Sequence, residues 1–186
     1  MLNIEIAFPE KILSNEELQN LNPEYNLKRL EKKLGIKERR VVEEGQTSLD
    51  LALKACNQLF EKYDKHQIDY VIYCTQSPEY FLPTTACILQ SKLELGLNVG
   101  AFDYNLGCSG YIYGLSMAKS FIQSGLASNV LLVTAESYSK FLHKEDITNR
   151  AIFGDAATAT VIGYELAKKI GEFNLDKELL KNYFES

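Results

Sequence analysis

The chain has 186 residues, 46% of them hydrophobic, with a net charge of −5, four cysteines, two histidines and no tryptophan. That is enough apolar matter for one packed domain, and it excludes a disordered chain. The acidic balance excludes the basic footprint of a nucleic-acid binder, and the lack of any apolar run of about 18 residues excludes a transmembrane helix.

The elements read in chain order as follows. Leu2 to Ala7 predicts a short strand ended by Pro9. Ser14, with Glu17 three residues on, predicts a helix start, and Leu27 to Leu34 a second helix stopped by Gly35. The basic run from Lys28 to Arg40 is interleaved with Glu31 and Glu38 and reads as a solvated helix face. Arg39 to Val42 is a candidate strand. Thr47 or Ser48 caps a helix to about Tyr63, whose apolar residues Leu49, Ala52, Ala55, Cys56, Leu59, Phe60 and Tyr63 recur at helical spacing. Asp69 to Thr75 predicts a strand buried on both faces, Pro83 opens a helix to about Leu93, and Val99 to Tyr104 predicts the next strand. Ser109 to Gly125 reads as a helix, and Asn129 to Ala135 and Ala156 to Ile162 as strands. From Glu165 onward the charges crowd, which fits a surface helix or a frayed tail.

Strands alternating with helices of ten or more residues predict an α/β fold, a mostly parallel sheet of five strands covered by helices on both faces. The N-terminus has no basic region followed by a long apolar stretch, so no signal peptide is expected and the chain reads as cytoplasmic with reduced thiols. Cys56, Cys74, Cys87 and Cys108 are widely spaced with no close pair, so no metal site is expected.

Cys108 is the candidate for chemistry. It stands in Asn105-Leu106-Gly107-Cys108-Ser109-Gly110, between a predicted strand and a predicted helix. A helix N-terminus there favours a thiolate, Gly107 and Gly110 permit a tight turn, and the Cys108 N–H is placed to help stabilise an oxyanion. The competing reading, a small buried residue, stays open on spacing alone. Cys56, Cys74 and Cys87 read as core. His66 reads as a solvated turn residue, and His143 as a loop residue with general base as its minority role.

Six segments in order resemble β-ketoacyl-acyl carrier protein synthase III and related thiolase-superfamily condensing enzymes. They are Gly35-Ile36-Lys37-Glu38-Arg39-Arg40, Glu43-Glu44-Gly45-Gln46-Thr47, the stretch from Cys74 through Pro83 to Cys87, the Cys108 segment, Thr134-Ala135-Glu136-Ser137-Tyr138-Ser139-Lys140, and Phe153-Gly154-Asp155-Ala156-Ala157-Thr158-Ala159. The resemblance covers residues 9–163 and implies a thiolase-like half-fold. It implies that Cys108 takes an acyl group from acyl-coenzyme A for condensation with malonyl-acyl carrier protein. No cofactor is implied beyond acyl-CoA as substrate.

The resemblance also implies that Arg150 lies near a coenzyme A contact, and that Lys33 and Arg29 stand where relatives carry a tunnel arginine and an adenine-stacking tryptophan. Leu82 would reach a dimer partner's acyl pocket, and Gly154 would form a tight turn before the last strand. The expected division is a thiolase-like domain at 1–165 and a tail, or the start of a further half, at 166–186. The family's histidine and asparagine belong to that further half. The chain is therefore expected to be a truncated product, a fragment or one subunit of a split enzyme, acylated but unable to condense efficiently alone. The expected partners are acyl-CoA, acyl carrier protein, and a second copy or a complementary half. The alternatives are a non-catalytic dimerisation module and another thiolase-superfamily chemistry.

Overall fold

The structure is a computed structural model that describes residues 3–170. Its first elements are strand β1 (Asn3–Ala7), a short hairpin of β2 (Ile12–Ser14) and β3 (Glu38–Arg40), and between these two the helices α1 (Asn15–Leu21) and α2 (Leu27–Leu34). Then follow α3 (Ser48–Phe60), β4 (Tyr70–Cys74), α4 (Thr85–Lys92), β5 (Gly100–Tyr104), α5 (Gly110–Gln123), β6 (Asn129–Glu136), α6 (Ile147–Arg150), β7 (Ala156–Gly163) and α7 (Tyr164–Lys169).

Local chemistry sets the helix ends. The Ser14 hydroxyl accepts the Glu17 N–H at 3.1 Å, and the Asn26 side chain accepts the Arg29 N–H at 3.0 Å. Thr47 and Asp50 form a reciprocal capping box on α3. The expected helix at Pro83 begins two residues later, and Thr84 makes no side-chain cap. The cap comes from another element: the Asp103 carboxylate on β5 accepts the Thr85 and Ala86 N–H groups, both at 2.6 Å. A helix starts where its free N–H groups find partners, and here the partner lies 18 residues downstream.

The main sheet has the order β1-β7-β6-β4-β5. β5, β4 and β6 pair in parallel, while β7 runs antiparallel to both β6 and β1. Four of the five strands thus point the same way, which bears out the mostly parallel sheet. The reversed β7 was not legible, because a strand buried on both faces reads the same in either direction.

Helices cover both faces, as expected. One core packs Leu51, Ala55, Cys56 and Leu59 of α3 and Leu89 of α4 against Val71, Tyr73, Leu131 and Val133. The opposite core packs Ala118 and Ile122 of α5 and Ala167 of α7 against Ile72, Val130, Leu132 and Ile162. Leu13, Leu18, Leu27, Val41, Ile147 and Ala151 form a satellite core around the hairpin. Beside it the buried Arg39 guanidinium donates to Leu13 O, Asn15 Oδ1 and Ala151 O. Helix α7 spans the 165/166 division expected from sequence, and residues 171–186 of the expected tail lie outside the described residues.

Asp103→Ala should leave the α4 N-terminus without acceptors and destabilise the fold by about 1–3 kcal/mol in urea titrations. Asp103→Asn, which keeps one carbonyl acceptor, should lose less.

Candidate functional site

The site is built where three parallel strands end. Cys108 lies in a turn closed by the Gly110 N–H donating to Gly107 O at 2.9 Å, just before α5, whose N-cap is Ser109. The helix begins one residue later than the sequence suggested, so Cys108 stands two residues ahead of it. Its side chain is exposed.

The turn is held from beneath by a row of side chains that the strand register aligns across the sheet. Tyr104 of β5 faces Cys74 of β4, and Cys74 faces Thr134 of β6. The Tyr104 hydroxyl donates to Gly110 O at 2.6 Å, and the Cys74 thiol donates to Leu106 O at 3.3 Å. Burial pushes the Tyr104 phenol up, as does its hydrogen bond with the Cys74 thiol, and burial likewise raises Cys74. Both stay protonated and act as donors to the turn. A Cβ on Gly110 would collide with Cys74 Sγ, and a Cβ on Gly114 would stand 2.5 Å from Leu132 Cδ1 and 2.6 Å from the Tyr104 hydroxyl. Those two glycines let α5 lie directly on the sheet.

Cys108 opens onto a cavity of about 520 Å³. Its walls include Gly107, Gln76, Cys74, Tyr111, Thr134, Glu136, Tyr138, Phe153, Gly154 and Thr158. Tyr138 and Phe153 meet edge to face with centroids 5.6 Å apart. Glu136 accepts from the Gln76 N–H at 2.7 Å and from the Ser77 hydroxyl at 2.9 Å. Burial pushes the Glu136 carboxyl up, while those two hydrogen bonds work the other way. The Ser77 oxygen also accepts the Ser137 N–H at 2.9 Å, so one carboxylate and one hydroxyl join the loops after β4 and β6. Asp155, buried, accepts from Val42 N, Ser139 N and the Ser139 hydroxyl, and it pins the Gly154 turn to two further segments.

The predicted site residues divide. Cys108, Gly107 and Gly154 share the cavity, and Gly110 lies beneath the turn. Arg150 lines a neighbouring cavity of about 390 Å³ with Lys11 and Lys140, and its guanidinium donates to Lys144 O at 2.7 Å. Phe153 lines both cavities. Arg29 and Lys33 are exposed on α2, and Leu82 is 81% exposed; these three line neither cavity. His143 is exposed, accepts the Glu145 N–H and does not line the Cys108 cavity. Sequence reasoning missed Gln76, Tyr111, Thr134, Glu136 and Thr158 as site residues. Gln76, Thr134, Glu136 and Thr158 stand inside the quoted segments, but only the register shows that their side chains turn to one place. No three or more of His, Cys, Asp and Glu gather as a metal site among the described residues, and none of the described helices is long and apolar enough to cross a membrane.

An exposed cysteine at a strand–turn–helix junction of a helix-covered, mostly parallel sheet is the arrangement of a thiolase-like fold. A family model described as 3-oxoacyl-[acyl-carrier-protein (ACP)] synthase III matches residues 102–178. The β-ketoacyl-[acyl-carrier-protein] synthase III of Aliarcobacter butzleri is 41% identical over 160 residues, covering 83% of this chain and 46% of the relative. A crystal structure of a 3-oxoacyl-(acyl-carrier-protein) synthase III superposes with a TM-score of 0.84 at 45% identity, covering 87% of this chain and 48% of that one. The Aquifex aeolicus synthase III superposes with a TM-score of 0.80 at 32% identity, covering 87% of this chain and 52% of that one. Over the residues matched, this chain is similar to the β-ketoacyl-acyl carrier protein synthase III enzymes, and it spans about half the length of the curated relatives it matches.

The raised Glu136 carboxyl carries a pH signature. The native state holds that proton more tightly than the unfolded chain, so its contribution is most favourable below the ordinary glutamate range and is lost as pH rises through the raised native value. Thermal melts from about pH 4 to about pH 7 should show wild type losing stability relative to Glu136→Gln as pH rises. A parallel pH dependence in the two proteins would contradict this.

Proposed function

We propose that Cys108 is the acyl acceptor of a condensing enzyme. Its thiolate attacks the thioester carbonyl of an acyl-coenzyme A, the carbon–sulfur bond to coenzyme A breaks, and the acyl group stays on Cys108 while the coenzyme A thiolate leaves and takes up a proton. Malonyl-acyl carrier protein then loses carbon dioxide, its α-carbon attacks the acyl carbonyl, a carbon–carbon bond forms, and the bond to sulfur breaks to restore the Cys108 thiolate. The observation that carries this reading is the placement of Cys108, exposed in a glycine-flanked turn ahead of a 14-residue helix and above a 520 Å³ cavity. The first N–H groups of such a helix and its dipole favour negative charge at the thiol and at the tetrahedral oxygen.

Arg150, with Lys11 and Lys140, supplies cations for coenzyme A phosphates in the cavity that Phe153 shares with the Cys108 cavity. Glu17, Glu43 and Glu44 line the same cavity, and Arg29 and Lys33 on α2 do not line it. Neither histidine lines the Cys108 cavity; Glu136 is the carboxyl on its wall.

A second reading is favoured by one surface. In the loop before α4, Phe81 is 100% and Leu82 81% exposed. Apolar side chains held so far into solvent fit a contact with a second copy or a complementary half. Sedimentation at micromolar protein should show association that Phe81→Ser/Leu82→Ser weakens; a wild-type monomer would remove this reading.

The first is tested by intact mass spectrometry after incubation with acetyl-, butyryl- and longer acyl-coenzyme A. One acyl adduct per chain is expected in wild type and none in Cys108→Ala. An adduct that survives in Cys108→Ala, or no adduct from any donor, would overturn it.

A further inference from the structure

The row of side chains beneath the nucleophile does not stop at Cys74. The register carries it from Tyr104 and Cys74 to Thr134 on β6 and on to Thr158 on β7. Residues paired in this way put their side chains on one face of the sheet, here the face covered by α5. Tyr104 and Cys74 spend their donors on the backbone of the Cys108 turn. Thr134 and Thr158 do not reach it. Their hydroxyl oxygens lie 2.8 Å apart, and both residues line the Cys108 cavity.

That pair has a defined donor count. Two hydroxyls carry two hydrogens, and only one can lie between the two oxygens. Among the described residues neither hydroxyl has another partner, so the second O–H is left to the cavity. The same count holds for the Tyr111 and Thr160 hydroxyls, which pair at 3.2 Å on that face. The cavity floor beside Ala156 and Ala157 is therefore a polar spot, set below walls that include Gln76 and Glu136 as well as Tyr138 and Phe153. An alkyl tail laid over it strips water from the free O–H and returns no hydrogen bond. The penalty is on the order of tenfold in affinity. A short acyl group that stays close to Cys108 leaves the spot hydrated.

We propose that the Thr134–Thr158 hydroxyl pair determines acyl specificity at this site, admitting short acyl groups on Cys108 and penalising tails long enough to cover the pair. The proposal rests on the reading of Cys108 as the acyl acceptor, and its test separates the two.

Acylation rates with acetyl- and octanoyl-coenzyme A are compared by intact mass in wild type, Thr134→Val/Thr158→Val and Thr134→Ala/Thr158→Ala. Valine keeps the approximate volume and β-branching of threonine and puts a methyl in place of the hydroxyl. The octanoyl-to-acetyl rate ratio should rise by about tenfold in the valine pair, and at least as much in the alanine pair. An unchanged ratio in both variants, or a wild type that already prefers octanoyl, overturns the proposal.

The same ratio read with N-ethyl and N-octyl iodoacetamide needs no coenzyme A and reports the cavity alone. A shift there without acylation by any donor sinks the acyl-transfer reading and keeps the floor. No shift there overturns the floor even where acylation stands.

Discussion

The close approach of helix α5 to the sheet governs the rest of the structure. The helix that follows Cys108 is held in place by contact with the strands below. Gly110 against Cys74 Sγ and Gly114 against Leu132 remove the side chains that would lift the helix. The Tyr104 hydroxyl and Cys74 thiol then fasten the turn to β5 and β4. Each bond is modest in net energy, but any change at these positions moves Cys108 with the helix. The cavity exists because the turn sits on the sheet near α5 while Thr134 and Thr158 keep the floor low beyond it.

Around that contact, carboxylates do the work of joining loops. Asp103 caps α4 from β5, Glu136 gathers Gln76 and Ser77, and Asp155 takes three donors from two segments. Such groups are costly to bury and are tolerated because backbone N–H groups and hydroxyls satisfy them. All three connect segments distant in sequence, so the loops that ring Cys108 form one unit. The Arg39 guanidinium does the same for the hairpin and α6 through neutral acceptors.

The two faces of the sheet are used differently. The face under α3 and α4 is a dry aliphatic core. The face under α5 begins as a core, with an aromatic group of Tyr70, Phe102 and Phe121, and turns polar toward the strand ends where Cys108 sits. A gradient from packing to chemistry along one strand face suits a site whose scaffold must stay rigid while its mouth stays open. The exposed Phe81 and Leu82, close in sequence to Gln76 of the same loop, place an apolar surface on a segment that also reaches the cavity.

Much of this was legible without coordinates. The strands over Tyr70–Cys74, Gly100–Tyr104 and Asn129–Glu136 and the helix after Cys108 follow from apolar period and glycine placement, because those signals are local. The place of Cys108 was legible for the same reason: turn, cysteine and helix start lie within six residues. The sequence by itself determined the main strands and helices, the two-faced α/β architecture and a cysteine set at a strand–helix turn, while the short strand β2 and helix α6 carried no such local signal. The direction of β7, the start of α4 and the walls of the cavity were decided by tertiary structure alone. Each of them depends on a partner many residues away: β6 for β7, Asp103 for α4, and for the cavity a register that sets Tyr104, Cys74, Thr134 and Thr158 in one line. No local pattern encodes which strand lies beside which, and that adjacency is what turns four unremarkable side chains into the floor of a site.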